Sequence, residues 1–270
     1  MTDTAADEAE LLKMWEGESA FYLPEIARVI EQNFAGRTSL TCLEIGCGPG
    51  LLLHKLRERF PALSFEGIEP VSDGFAKTDG PQQRLAEKLG VTITRATYEA
   101  FQPPRAYDLI FSVNVIEHVA SWRDYLIKTH AMLAPGGVAV ALCPNYNFPL
   151  ESHFILPIVI NKAITRKLFH GPITALERNR SYHGLWDGLN FIKRTQVTRF
   201  LKTTGFRFAF DNLIMERMFA RLFTDPDFRR RFRALAFLAQ VAYRLKLTRL
   251  TAAPGLRAFA PFMKLTISKP

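Results

Sequence analysis

The chain has 270 residues, 48% of them hydrophobic, and 35 Lys and Arg against 26 Asp and Glu for a net charge of +9. That length and apolar content suit one enlarged α/β domain with a sizeable core. The positive balance favours an anionic partner, whether a phosphorylated substrate, an anionic membrane surface or nucleic acid, without choosing among them. Cys42, Cys47 and Cys143 lack CxxC spacing, which argues against a disulfide framework and a zinc site and fits a reduced, cytoplasmic setting. Met1 to Glu10 is acidic and polar, so it does not read as a signal peptide. No apolar run approaches the roughly 20 residues that span a bilayer. Phe154 to Ile160 is far too short and contains Pro157.

In chain order, the apolar spacing of Phe21, Ile26, Val29, Ile30 and Phe34 predicts a helix over Glu18 to Phe34. The apolar run Leu40 to Ile45 reads as a strand. Gly46-Cys47-Gly48-Pro49-Gly50 follows as a turn, and Leu51 to Phe60 as a helix. Leu63 to Ile68 is a second strand ending at Glu69, and Gln82 to Leu89 a helix stopped by Gly90. Val91 to Ala96, Tyr107 to Val113 and Val138 to Cys143 read as further strands, with a helix over Trp122 to Leu133. Strands alternating with helices imply a doubly wound, mostly parallel sheet with helices on both faces. Residues 144–194 lose the period and carry prolines and aromatics, so we expect an insertion there that acts as a substrate lid. Thr195 to Thr204 is a helix and Phe206 to Asn212 a strand; residues 213–260 form a basic, amphipathic helical insertion; Phe262 to Ser268 is a final strand, expected antiparallel. The expected organisation is thus a single domain over 1–270, its core about 38–143 with 195–212 and 261–269.

A glycine-rich turn after the first strand lets a ligand approach the backbone and exposes amides at the next helix start. Such turns serve many nucleotides. The dinucleotide fingerprint G-x-G-x-x-G fails at Leu51, which counts against NAD. Glu69, at the end of the second strand and about 20 residues beyond the glycines, suits a carboxylate that accepts ribose hydroxyls.

With these residues in hand, the sequence resembles the class I S-adenosylmethionine-dependent methyltransferase family. The resemblance rests on LEIGCGPG (Leu43 to Gly50), GIEP (Gly67 to Pro70), YDLIFSVNVIEHV (Tyr107 to Val119) and LAPGG (Leu133 to Gly137), in family order. It covers about residues 20–143 and, more weakly, the last helix and two strands. It implies a Rossmann-like fold and S-adenosylmethionine as cofactor. It implies that Glu44, Gly46, Cys47, Gly48 and Gly50 line the methionine and ribose side, and that Glu69 and Pro70 hold the ribose. Thr97, Tyr98 and Glu99 would flank the adenine, although the aspartate common near Thr97 is missing. Asn114 and Val115 would lie under the sulfonium. Glu117 and His118 stand between direct contact, for which His118 is the cofactor candidate, and a role in capping and packing.

Methyl transfer is an in-line displacement, so the protein mainly aligns the nucleophile. A hydroxyl acceptor usually needs a base as well. Tyr146, Glu151 and His153 in PNYNFPLESHF are candidates, with His183 in YHGLWDGLNF; His153 ranks first because histidine titrates near neutrality. His54, His130 and His170 read as ordinary helix or loop residues. No metal is demanded, and no His/Asp/Glu group at metal spacing stands out. The expected activity is methylation of a small-molecule acceptor, lipid-like, quinone or sugar-linked. The alternatives are an RNA or protein methyltransferase and a noncatalytic cofactor-binding subunit. An NAD enzyme lacks its third glycine and a Tyr-x-x-x-Lys pair, and no base-flipping motif or RNA-binding module supports a nucleic-acid partner. Oligomeric state is left open. Residues 213–250 interleave arginines with Phe232, Leu235, Phe237, Leu238, Val241 and Leu245. That pattern is read either as a helix lying peripherally at the inner membrane surface or as one packed on the core or a second copy.

Overall fold

The computed structural model describes residues 2–70, 76–180, 184–226, 229 and 233–270. They fall into two compact units: Met1–Val115 with Arg123–Val140 and Ile267–Pro270, and Ile116–Trp122 with Ala141–Thr266.

The first unit opens with helix α1 (Thr2–Asn33), which starts well before the expected Glu18. Strand β1 (Thr41–Ile45) has four consecutive buried residues, as expected of a parallel strand covered on both faces. Helix α2 (Leu51–Arg59) turns Leu51, Leu52, Leu53 and Leu56 inward. Strand β2 (Ser64–Ile68), helix α3 (Ala76–Leu89), the three-residue strand β3 (Thr92–Thr94) and strand β4 (Tyr107–Val113) follow. Helix α4 (Trp122–Ala131) leads into the long strand β5 (Leu133–Pro144). Strand β1 lies parallel to both β2 and β4, with Glu44 opposite Gly67 on one side and Phe111 on the other. β2 and β3 are also parallel.

The second unit carries most of the expected insertion, which is more regular than its composition suggests. Strands β6 (Leu150–Glu151) and β7 (Leu156–Pro157) form a small antiparallel hairpin. Helices α5 (Lys162–Leu168), α6 (His170–Arg180) and α7 (Leu185–Gly188) follow. Phe154, Ile173, Trp186 and Leu189 form a core of their own. These elements are two to eleven residues long, too short for a hydrophobic period to show. Helix α8 (Arg194–Thr204) ends on Gly205 at φ 72, and strand β8 (Arg207–Phe210) follows. Helices α9 (Ile214–Thr224) and α10 (Arg233–Arg244), two 3₁₀ turns and strand β9 (Phe262–Ser268) complete the chain.

The seven-stranded sheet has the order β3-β2-β1-β4-β5-β9-β8. Strand β9 runs antiparallel to β5, since Lys269 pairs with Gly137 at one end and Asn145 with Pro261 at the other. The fold is therefore the Rossmann-like, mostly parallel sheet expected. Strand order reverses between β1 and β4, the place where open α/β sheets bind ligands at the carboxyl ends of their strands.

Candidate active site

In the first unit, β1 ends in a turn whose glycines all have left-handed backbone: Gly46 (φ 73), Gly48 (φ 53) and Gly50 (φ 75). At Gly46 a side chain is excluded twice over, by that φ and by space, because a Cβ would stand 2.3 Å from Val115 Cγ2. The turn is tied to the next strand: the amides of Gly46 and Cys47 both donate to Ile68 O, at 2.8 and 3.2 Å. Glu69, one residue beyond, accepts from the Gly48 amide at 2.9 Å through Oε2. The two halves expected to act together, glycines and acid, are thus joined by a hydrogen bond. Burial raises the Glu69 carboxyl above its ordinary value, against the pull of that amide and of Arg95. Pro70 beside it is half-buried.

Glu44 is 3% exposed, and among the described residues its Oε2 has no hydrogen-bond partner. Burial, reinforced by the Glu69 charge, pushes its pKa well above the usual carboxylate range. A buried polar atom left unsatisfied is costly and wants a partner. Asn114 follows β4 with φ 52, a conformation that asparagine tolerates better than most residues. Its side chain exchanges hydrogen bonds with the Tyr22 hydroxyl of α1, Nδ2 donating at 3.0 Å. Sequence reasoning passed over Tyr22, whose only signal was a polar tip on an otherwise apolar helix face. Tyr98 is buried edge-on against Tyr125, ring centroids 5.1 Å apart, while Thr97 and Glu99 are exposed.

The second unit holds a different cluster. Glu151 is fully buried on β6 and gathers three donors: the Tyr146 hydroxyl at 3.0 Å, the Phe154 amide at 2.7 Å and His153 Nδ1 at 2.7 Å. Burial works to raise its pKa, but the bond and charge of His153 and the Phe154 amide hold its carboxyl below the ordinary value. The His153 ring packs edge-on against His118, centroids 5.2 Å apart. Beside them Glu117 is fully buried, with neither carboxylate oxygen hydrogen-bonded by any described residue. Burial raises Glu117 to about 7 and lowers His118 to about 4. One ligand atom each from Glu117, His118 and His153 lies within 4.8 Å of the others. The expectation of no compact His/Asp/Glu group is therefore corrected: the fold assembles one from segments far apart in the chain. Asn190 fastens it, its Nδ2 donating to Ile116 O at 2.7 Å and Val119 O at 2.9 Å and its amide to Glu117 O at 2.8 Å. No sequence pattern pointed to Asn190. His183 lies outside the described residues.

A family described as "Methyltransferase domain" matches residues 14–209. The chain belongs to this methyltransferase family. It is an S-adenosylmethionine-dependent enzyme of class I. The methyltransferase is 29% identical over 245 residues to an uncharacterized protein of Mycobacterium tuberculosis (strain H37Rv), spanning 90% of this chain and 78% of that one. It is 36% identical over 136 residues to the ubiquinone biosynthesis O-methyltransferase of Roseobacter denitrificans, spanning 49% of this chain and 51%, about half, of that one. Among solved structures it shares its fold with the plantazolicin methyltransferase BpumL in complex with SAH (TM-score 0.56, 12% identity, covering 100% of this chain and 90% of that one). A similar likeness links it to phosphoethanolamine N-methyltransferase 2 of Haemonchus contortus (TM-score 0.54, 16% identity, 92% and 52%).

The turn of this methyltransferase fits the donor. S-adenosylmethionine carries an ammonium and a sulfonium, and the unsatisfied Glu44 oxygen next to the half-buried Glu69 carboxylate forms a surrounding that favours positive charge. His118, a candidate for the cofactor, packs against the acceptor candidate His153 within the second unit.

Proposed function

We propose that this methyltransferase methylates a hydroxyl oxygen of a small, largely apolar acceptor, with the Glu117–His118–His153 cluster as the acceptor's polar anchor. The observation that carries this reading is the 2.7 Å bond between His153 Nδ1 and the buried Glu151. A carboxylate that fixes one imidazole nitrogen leaves the other as the basic atom, the arrangement used to accept a proton from a hydroxyl. Glu69 accepts the ribose hydroxyls, Glu44 faces the methionine ammonium, the Gly46–Gly50 turn admits the donor's backbone approach, and Tyr98 backs the adenine. Asn114 and Val115 support the sulfonium end. The partial match to a ubiquinone biosynthesis O-methyltransferase favours an aromatic hydroxyl. Residues 144–180 and 184–194 cover the acceptor.

The experiment is methyl transfer from labelled S-adenosylmethionine to a panel of catechols, simple phenols, primary amines and sugars. Labelled aryl methyl ether from the catechols or phenols is expected. Labelled amine alone would overturn the hydroxyl reading.

Peripheral membrane contact is the second reading, favoured by the exposed Phe237 (72%), Leu245 (65%), Leu247 (47%) and Leu250 (50%) beside Arg244 and Lys246. Basic and apolar groups together suit an anionic interface. Against it, Arg217 is paired with Asp211, Arg221 with Asp225 and Arg249 with Glu216, which withdraws part of the charge counted in the sequence. No described helix is long and apolar enough to cross a membrane. Flotation with phosphatidylglycerol vesicles at low salt is expected to carry the protein upward; protein left at the bottom overturns this reading.

A further inference from the structure

We propose that Glu117, His118 and His153 form a binding site for a divalent first-row transition-metal ion, of the zinc, iron(II) or cobalt(II) class. The inference deepens the acceptor-site reading and rests on it only for the ion's use, not for its binding. Three observations carry it.

The first is the donor set. Two imidazoles and one carboxylate present their ligand atoms within 4.8 Å of one another, with His118 Nε2 already 3.9 Å from Glu117 Oε1. An ion bound at about 2.0–2.2 Å from each donor sits at the centre of such a group after small side-chain rotations. Imidazole ligands select zinc, iron or cobalt over magnesium and calcium, which prefer all-oxygen shells.

The second is the unsatisfied carboxylate. Glu117 is fully buried and neither oxygen accepts a hydrogen bond from any described residue. Every other carboxylate of the cluster is satisfied: Glu151 has three donors at 2.7–3.0 Å. A buried acid left without donors in a well-bonded surrounding calls for a cation.

The third is the outer shell. Ligating histidines characteristically give their other ring N–H to a carboxylate, which sets the tautomer and the ring's direction. Glu151 does this to His153 Nδ1, so in the neutral ring the lone pair is on Nε2. Glu151 is itself held by the Tyr146 hydroxyl and the Phe154 amide, and the Glu117–His118 segment by Asn190. Three protein ligands leave at least one coordination position open, the pattern of a working site rather than a closed structural one. That position takes an oxygen donor, a water or the acceptor's hydroxyl, and coordination lowers the pKa of either. With the ion bound, His153 is a ligand and the hydroxyl proton leaves to solvent.

The test uses the full chain, stripped with a chelator and then dialysed free of it. Cobalt(II) is added while visible absorption is followed, and zinc(II) binding is measured by calorimetry. One ion per chain is expected, with the visible bands of a low-symmetry cobalt site. His118→Ala and His153→Ala should each weaken binding at least tenfold. Glu151→Gln, which touches no ion, should weaken it by about 10–100-fold through loss of orientation. Circular dichroism and S-adenosylhomocysteine binding, measured on the same samples, report folding. Glu117→Gln is read only if it passes those two checks, and the partly exposed His118 supplies the independent variant. A wild-type chain that binds S-adenosylhomocysteine but shows neither cobalt bands nor a saturable zinc isotherm overturns the metal site and leaves the acceptor reading standing with His153 as base. So does equal ion binding by wild type, His118→Ala and His153→Ala. Ion binding without methylation of any hydroxyl acceptor would instead overturn the acceptor reading alone.

Discussion

The glycine turn of the first unit and the Glu117–His153 cluster of the second both contain a buried carboxylate oxygen with no partner among the described residues, yet they are written into the chain in different ways. The turn is local. Glu44, Gly46, Gly48 and Gly50 lie within seven consecutive residues, and Glu69, just past the adjacent strand, joins them by accepting one hydrogen bond from the Gly48 amide. The cluster is assembled at long range from Glu117 and His118, Tyr146 to His153, and Asn190. The turn's geometry follows from left-handed backbone that glycine meets at least cost and, at Gly46, from the lack of room for a Cβ beside Val115. The cluster's follows from a hairpin of two-residue strands and a small aromatic core. On the proposed roles, donor binding would be encoded by a contiguous pattern and acceptor chemistry by packing.

The sharpest way to break this comparison is to damage one side and read the other. Without an ion, His153 is the proton acceptor, and His153→Ala should lower turnover by about 10²–10⁴-fold, with little change in S-adenosylmethionine affinity. Stopped-assay kcat and calorimetric Kd on the same sample give both numbers. A fall in donor affinity as large as the fall in kcat would join the two sites into one and dissolve the distinction. Glu69→Ala should do the reverse. Losing hydrogen bonds to a charged group costs about 1.5–3 kcal/mol of donor binding, and kcat at saturating donor should largely survive. Unchanged affinity in that variant would remove Glu69 from the donor site.

The same contrast explains what was legible in the sequence. Strand and helix alternation through residue 143 declared the sheet, because the central strands β1, β4 and β5 are buried apolar runs and α2 presents a leucine face from Leu51 to Leu56. The glycines and Glu69 were readable because their spacing is fixed by the strand–turn–helix geometry. Tyr22 escaped because its hydroxyl meets Asn114 across 92 residues of chain. Asn190 escaped for the same reason, since a clamp on backbone carbonyls has no linear signature, and Glu117, named beside His118, carried no linear sign that it would be an acid without partners. His153 was singled out for its titration range alone; the feature that makes it useful, the Glu151 bond two residues back, depends on the turn that follows β6.

A third carboxylate sharpens the contrast with the smallest expected effect. Asp108, on β4, is half-buried, unlike Glu44 and Glu117, and is fully provided for. It accepts from the Thr41 amide at 2.9 Å and hydroxyl at 3.0 Å and pairs with Arg37 at 2.9 Å. Burial works to raise its pKa, yet these donors outweigh burial and hold it below the ordinary 3.8. A carboxyl depressed in the folded state adds stability above its unfolded pKa and loses it as pH falls through the folded value. Asp108→Asn should therefore cost about 1–2 kcal/mol near neutrality, with Arg37 contributing little because its side chain is 48% exposed. The wild-type and variant unfolding curves should converge as pH drops from 3.8 downward, where Asp108 takes up its proton. Donor affinity should not move. Denaturant melts at neutral and acid pH check the first statement and calorimetry the second. A stability gap that persists unchanged into acid would show that the carboxylate charge is not what the two strands use. If only stability responds, Asp108 serves the pairing of β1 with β4 and takes no part in donor binding.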